Sequence, residues 1–274
     1  MTHRTGFWPV LFFVLLLGAP VQAQESDVVP AISIIIDDMG KRLLSEQRVL
    51  ALPGPVACAF LPQAAYTREL AIEAFGRGKE VMLHLPMEAV SGHRLDAGAV
   101  TLEMTRHQFM QTVKENLDAV PHVKGVNNHM GSLLTRHPGH MLWLMQAMQQ
   151  QNTLFFVDSR TTASTVARQI AAENGVPNTE RNVFLDHKLD AQTLEYEFNR
   201  LLQLARKQGS AVAIGHPHPQ TLALLEKWLP QLEHLGIRLL PVSELIHHQQ
   251  EVEQSWQASW SPSHKAAKNS KPSL

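Results

Sequence analysis

Short apolar runs rich in Ile, Val and Leu alternate with longer segments whose apolar residues recur at helical spacing, between residues 31 and 246. The runs are nearly unbroken, which is typical of parallel strands covered on both faces. Such an alternation predicts a parallel sheet, either open or closed into a barrel. The predicted strands are residues 32–36, 56–61, 80–85, 123–127, 154–157, 183–185, 211–214 and 237–240. Eight units in roughly 220 residues fit a compact or distorted (β/α) barrel.

Helices are predicted between these strands wherever the apolar spacing is helical. They cover residues 106–119, 141–150, 165–174, 191–208 and 220–235. After residue 248 the chain becomes rich in Gln, Ser and Lys and has little apolar surface to bury. We therefore predict a barrel at residues 31–248 and a polar, disordered tail at residues 249–274.

The first residues have the pattern of an export signal. His3 and Arg4 precede an apolar stretch of about 11 residues, and small residues follow it up to Ala23. A spanning helix needs roughly 20 apolar residues, which makes an uncleaved anchor the weaker alternative. We predict a signal peptide at residues 1–23, a short linker at 24–30, and no transmembrane anchor after cleavage.

Charge and cysteine content exclude several classes of protein. The chain has 24 Lys+Arg, 25 Asp+Glu and a net charge of −1, so it lacks the basic surface that nucleic-acid binding requires. Its single cysteine, Cys58, excludes an internal disulfide and a multi-cysteine metal site. An exported chain without disulfides fits a bacterial periplasm. Any metal must be bound by carboxylates and by some of the 15 His; the sequence leaves the oligomeric state open.

Polar residues follow six of the eight predicted strands directly. In parallel α/β folds, sites form at the carboxyl ends of the strands, so these side chains are expected to meet at one rim. The clusters begin at Asp37, His84, Asn127, Asp158, Asp186 and His216. Six such clusters on one rim predict an active site.

The adjacent pair Asp37 and Asp38 suits a metal site. Two neighbouring carboxylates repel each other unless a cation absorbs part of their charge, although one of them can instead cap the following helix. His84 alone would be a core histidine, but beside Asp38 it is a candidate ligand, and imidazole with carboxylate favours Zn²⁺. Pro86 can turn Glu88 back toward the same site, which makes Glu88 a further candidate.

Five stretches in this order resemble the divergent polysaccharide deacetylases, an exported bacterial branch of the NodB-like (carbohydrate esterase 4) superfamily. The stretches are Ile36-Asp37-Asp38-Met39-Gly40, His84-Leu85-Pro86-Met87-Glu88, Gly125-Val126-Asn127-Asn128-His129-Met130-Gly131-Ser132, Asp158-Ser159-Arg160-Thr161-Thr162 and Ile214-Gly215-His216-Pro217-His218. The resemblance extends from about Ala31 to Ile246. It implies a distorted seven- or eight-stranded (β/α) barrel with a divalent metal, usually zinc.

The resemblance also implies roles for particular residues. Asp37 matches the catalytic base, Asp38 and His84 match metal ligands, and His216 matches the catalytic acid. Glu88 stands where the superfamily has its second metal histidine. An Arg-x-Pro-Tyr segment of the superfamily is replaced by residues 127–131, where His129 is a candidate third ligand and Asn127 and Asn128 are candidate donors to a substrate.

The function implied is metal-assisted removal of an acyl group from an envelope carbohydrate. Asp158 is predicted to orient His216 or Asp37, and Arg160 to pair with Asp37 or with an anionic substrate group. His218, in a Pro-His-Pro turn, is predicted either to line the rim or to shape the turn. Two alternatives remain: a catalytically degenerate protein that binds glycan or an envelope partner, and a metal-dependent peptide amidase.

Overall fold

The structure, a computed structural model, describes residues 29–90, 92, 94–151 and 154–260, with residues 255–260 described by their backbone alone. The predicted signal peptide and most of the predicted linker lie outside the described residues. No helix among those described has the length and apolar character needed to cross a membrane.

The described strands form one parallel sheet. They are β1 (Ala31–Met39), β2 (Ala57–Phe60), β3 (Val81–Met87), β4 (Gly125–Met130), β5 (Phe155–Asp158), β6 (Asn178–Glu180), β7 (Val183–Phe184), β8 (Ser210–Gly215) and β9 (Arg238–Leu239). The sheet order is β6-β5-β4-β3-β2-β1-β8-β7, and the short β9 pairs with the first residues of β1. The distorted (β/α) barrel predicted from the sequence is confirmed.

The distortion lies between β6 and β7, for which no strand pairing occurs in the described residues. The chain itself crosses this gap. Arg181 N–H donates to Asp158 O on β5, and Asn182 N–H donates to Val212 O on β8, both at 2.9 Å. Strand β6 was not predicted, because Asn178–Glu180 lacks the apolar run that marks the other strands.

Eight helices surround the described sheet. They are α1 (Leu43–Leu50), α2 (Thr67–Gly76), α3 (Arg106–Ala119), α4 (Pro138–Gln149), α5 (Ala167–Glu173), α6 (Ala191–Gln208), α7 (Pro219–Trp228) and α8 (Val242–Trp260). Short 3₁₀ turns occupy Leu134–Arg136 and Leu229–Gln231. The bounds of α3 and α6 agree with prediction, because Thr105 caps α3 with a capping box and Asp190 and Gly209 delimit α6.

The predicted disordered tail requires a correction. Helix α8 continues through residues 249–260, so the first part of the predicted tail is helical. Polar composition concealed this because most of α8 beyond residue 248 faces solvent where its side chains are described. Residues 261–274 lie outside the described residues.

Alternate residues of β1 face opposite sides of the sheet. Ile32, Ile34 and Ile36 belong to the apolar layer shared with the surrounding helices, whereas Ile35 belongs to a second cluster that includes Val242 and Leu245 of α8. Asp37 follows Ile35 with strand periodicity and therefore continues the inner face. Helix α8 packs against the inner cluster, so the site forms at the opposite, carboxyl ends of the strands.

Candidate active site

A backbone irregularity brings Asp37 and Asp38 to the same site. Adjacent residues of a regular strand point to opposite faces, but the pairing of β1 with β2 shifts register between Ile36 and Met39, and Asp38 has a φ of 59°. As a result His84 Nε2 lies 3.6 Å from Asp37 Oδ2 and 3.5 Å from Asp38 Oδ1. The left-handed conformation costs backbone energy, and such strain is concentrated at functional sites.

Three ligand atoms converge beside Asp38. His129 Nδ1 lies 3.1 Å from both Asp38 Oδ1 and His84 Nε2, and the third side of this triangle is the 3.5 Å from His84 to Asp38. Ligands about 2.0–2.2 Å from a tetrahedral zinc are about 3.3–3.6 Å apart. One separation is in this range and the other two are about 0.2 Å shorter, so Asp38, His84 and His129 are close enough to be three ligands of one metal ion.

The proton positions on His84 follow from Asn127. The carboxylate of Asp37 can only accept, so Asn127 turns its amide Nδ2 toward Asp37 Oδ1 at 2.8 Å. Its carbonyl oxygen then faces His84 Nδ1 at 2.9 Å and accepts the proton there. The lone pair of His84 is left on Nε2, which faces His129 and Asp38.

His129 is oriented by a residue that the sequence did not identify. Asp96, in the loop between β3 and α3, lies 3.0 Å from His129 Nε2. A carboxylate on Nε2 favours the proton there and leaves the lone pair on Nδ1. Both histidines thus present lone pairs to the carboxylate oxygen of Asp38. Nothing in the loop sequence around Asp96 distinguishes it from an ordinary surface aspartate.

Asp38 supplies the test of whether these residues fit a metal. Burial acts to raise its pKa, but the imidazoles of His129 and His84 outweigh burial, so the pKa of Asp38 lies well below its ordinary value. Its Oδ1 is buried and has no hydrogen-bond partner among the described residues. Without a metal, this lowering of the pKa comes from protons on the two imidazoles. With both imidazoles neutral, the ionised oxygen would face two lone pairs, which is costly without a cation. The donor set fits a divalent metal, and carboxylate with imidazole is suited to zinc.

A second polar pair follows the ends of the neighbouring strands β7 and β8. Asp186 Oδ1 lies 3.0 Å from His216 Nδ1, and its Oδ2 accepts from the backbone N–H of His216 and from Thr221 Oγ1. Burial acts to lower the pKa of His216, but Asp186 and the charges of Asp37 and Asp38 outweigh it, so that pKa is raised. His216 is thereby equipped to hold a proton beside the site.

The sequence assigned the orienting role to the wrong aspartate. Asp158 accepts from the backbone N–H of Arg160 and from Thr165 Oγ1, both at 2.8 Å. It therefore stabilises the turn after β5, and the partner of His216 is Asp186. The sheet order explains the error, because β8 pairs with β7 and not with β5.

His218 comes near this pair, and the three residues have atoms close enough for a metal. Both oxygens of Asp186 are already used by hydrogen bonds, unlike Asp38 Oδ1. The pair is therefore better described as a proton donor and its partner. His218 precedes α7 directly, at the position where the turn ends.

Three further predicted site residues lie apart from the metal ligands. Glu88 Oε2 accepts from Leu102 N–H at 2.8 Å, so its carboxylate braces the loop and is not part of the ligand group. Asn128 bonds Met130 O and the N–H of Ser159, which joins β4 to β5. Arg160 pairs with Glu180 at 3.0 Å and makes no contact with Asp37.

Arg181 is a cation on which the charge of Asp37 acts. It lies in the gap between β6 and β7, where Nε donates to Ser159 O at 2.7 Å and Nη2 donates to Arg160 O at 2.8 Å. Burial lowers the pKa of Arg181, and the negative charge of Asp37 opposes that effect. No sequence pattern marks Arg181, because it follows a strand that has no apolar run.

This architecture is that of a deacetylase-like (β/α) barrel with a candidate carboxylate–histidine metal site. The model of the divergent polysaccharide deacetylase family matches residues 34–246, and the chain belongs to that family. Family membership supports a function of the carbohydrate-deacetylase type.

Similar proteins are found in several bacteria. The uncharacterized protein YibQ of Escherichia coli K12 is 37% identical over 237 residues, covering 86% of this chain and 72% of that protein. An uncharacterized protein of Haemophilus influenzae is 36% identical over 221 residues, covering 81% and 78%. The crystal structure of the uncharacterized protein ATU2773 from Agrobacterium tumefaciens C58 shares the fold, with a TM-score of 0.76, 19% identity and coverage of 80% and 90%.

Proposed function

We propose that this protein is an exported, periplasmic, zinc-dependent hydrolase that removes an acyl group, acetyl in the first instance, from a cell-envelope carbohydrate. The observation that carries the proposal is the convergence of Asp38 Oδ1, His84 Nε2 and His129 Nδ1, next to a second carboxylate and a paired histidine. The proposal for export rests on the signal-like residues 1–23.

Asp37 is proposed to act as the general base. Its Oδ1 is held by Asn127, which leaves Oδ2 to accept a proton from an attacking water. Burial raises the pKa of Asp37, opposed by the charges of His84 and His216, and the net shift is upward, toward the range useful for a base near neutral pH. A divalent metal bound by Asp38, His84 and His129 would polarise the acyl oxygen and activate that water.

His216 is proposed to act as the general acid. Its Nδ1 is bound to Asp186, so the proton on Nε2 is the one available to the leaving nitrogen or oxygen. The upward shift in the pKa of His216 favours retention of this proton. The proposed base, Asp37, is in β1, and the proposed acid, His216, directly follows β8. These two strands are paired in the sheet.

A specific observation also favours the alternative of a catalytically degenerate glycan-binding protein. Asn127, predicted to donate to a substrate, uses its amide for Asp37 and His84. Asn128 is likewise bonded within the barrel wall. The segment therefore supplies fewer free donors for a developing oxyanion than its sequence implied.

Release of acetate from acetylated aminosugar oligomers separates the two functions. The full chain is stripped with chelator, reloaded with zinc and assayed beside its variants. Asp37→Asn is expected to abolish turnover while retaining zinc, and Asp38→Ala to lose both. His187→Ala removes an exposed rim histidine and is the matched control, expected to keep both. Zinc binding without acetate release by the wild type would favour the degenerate protein.

A further inference from the structure

Three arginines line one surface cavity of ≈ 520 Å³ beside the gap in the barrel. They come from three different elements: Arg160 follows β5, Arg181 lies between β6 and β7, and Arg200 belongs to α6. Thr162, Asn182 and Gln208 add polar side chains to its lining. We call this feature the arginine cavity.

Positive charge exceeds negative charge in this cavity. Glu180 is the one acid among its lining residues, and it is shared between Arg160 at 3.0 Å and Arg168 at 3.7 Å. Arg200 pairs at 2.8 Å with Glu197 of α6, which is outside that lining. Burial is the main cause that lowers the pKa of Arg181, and the charges of Arg160 and Arg200 add to it, so the guanidinium groups repel one another. The chain as a whole has a net charge of −1, so this local excess is not a property of the general surface.

The cavity shares a wall with the active site. Arg181 Nε donates to Ser159 O at 2.7 Å, and the backbone N–H of Ser159 donates to Asn128 Oδ1 at 2.8 Å. Asn127 Nδ2, which holds Asp37, lies 3.4 Å from Ser159 Oγ. Ser159 therefore contacts both Arg181, which lines the arginine cavity, and Asn127, which holds Asp37.

We infer that the arginine cavity binds an oxyanion, a carboxylate or phosphate group carried by the glycan substrate. Guanidinium groups match the planar oxygens of carboxylate and phosphate, and an anion would relieve the repulsion among the three arginines. The assignment of the anion to the substrate rests on the proposed function. The inference that the cavity binds an anion is independent of that function.

Calorimetric titration of the full chain, stripped of metal and at low salt, tests the inference without any turnover. The probes are glucuronate, glucose 6-phosphate and uncharged glucose. Both anions are expected to bind in preference to glucose and to bind more weakly as salt is added. The tighter of the two identifies the group as carboxylate or phosphate.

Three variants locate the binding. Arg200→Gln is expected to weaken it about tenfold, as the loss of a charge-assisted contact does. Glu180→Gln removes the competing carboxylate and is expected to tighten it. Arg206→Gln changes a neighbouring exposed arginine of α6 outside the cavity, bonded to Leu235 O, and is expected to leave binding unchanged.

Opposite effects at Arg200 and Glu180 cannot arise from a loss of folding. Equal binding of glucose and the anions, or equal effects of Arg200→Gln and Arg206→Gln, would overturn the inference. Acetate release without anion binding would overturn the anion site and leave the proposed function intact. Anion binding without acetate release would support the anion site and count against the proposed function.

Discussion

At the scale of single residues, the role of each polar group of the site depends on its hydrogen-bond or ion-pair partner as well as on its residue type. The Asp37-Asp38 pair and His84 are recognisable in the sequence because they follow apolar strands directly. Their partners Asp96 and Asp186 are not recognisable in this way. Asp96 lies in a loop, and the contact between Asp186 and His216 depends on which strands are neighbours in the sheet.

The partner of His129 is expected to control metal affinity. Asp96→Asn removes the charge that holds the proton on His129 Nε2. The tautomer that keeps the lone pair on Nδ1 is then less favoured. Contacts of this kind change metal affinity by about 10–100-fold, and zinc affinity is expected to fall by that amount.

Competition with a chromophoric chelator measures this affinity, and Co²⁺ absorption reports on the ligand geometry. Asp118→Asn changes an exposed aspartate of α3 and is the control, expected to have no effect. Unchanged zinc affinity in Asp96→Asn would show that the loop carboxylate does not orient His129.

The partner of His216 is expected to set the alkaline limit of activity. An acid catalyst is active below its pKa, so activity falls as pH rises through the pKa of His216. Asp186 contributes to raising that pKa, and Asp186→Asn keeps an acceptor oxygen but removes the charge. The alkaline limb is therefore expected to move to lower pH, with reduced kcat.

The pH profile of kcat for the wild type and Asp186→Asn checks this directly. Asp158→Asn is the comparison, because the sequence assigned Asp158 the same role, yet its carboxylate bonds Arg160 N–H and Thr165. A shift of the alkaline limb in Asp158→Asn but not in Asp186→Asn would contradict the assignment made from the structure.

At the scale of elements, strands with apolar runs and helices with clear caps were predictable, and the rest were not. Helices α3 and α6 have the predicted bounds because their caps are encoded locally. Strand β6 and the far part of α8 were missed because their side chains are mostly polar. Their conformation is determined by packing against neighbouring elements, which no local pattern records.

The connection from β1 to α1 is expected to depend on one buried carboxylate. Glu46 accepts hydrogen bonds from the backbone N–H groups of Gly40, Lys41 and Arg42, which follow Asp38 directly. Glu46→Ala leaves three donors without their acceptor, and a loss of about 2–4 kcal/mol in the free energy of unfolding is expected. Urea denaturation measures it.

A matched control for this prediction is Glu69→Ala, which removes an exposed glutamate from the first turn of α2. Its effect is expected to lie within about 0.5 kcal/mol. Equal losses in the two variants would show that the turn after Asp38 is held by other contacts.

At the scale of the whole molecule, the repeated strand and helix pattern predicted a barrel but not the place where its pairing fails. The position of the gap depends on the polar strand β6 and on Arg181 and Asn182, through which the chain passes from β5 to β8. The gap belongs to the inferred anion site, because Arg181 lies in the gap, lines the arginine cavity and is reached by the charge of Asp37.

The metal centre joins strands that are distant in sequence, so zinc is expected to stabilise the entire fold. Asp38, His84 and His129 come from β1, β3 and β4, and their ligand atoms are brought together only in the folded chain. Zinc at a hundred times its Kd would add about 2.7 kcal/mol, which corresponds to a rise in Tm of roughly 5–10 °C. Thermal unfolding with chelator and then with zinc measures this rise. Asp38→Ala is expected to abolish it and His187→Ala to retain it, whereas an equal rise in all three proteins would place the zinc elsewhere.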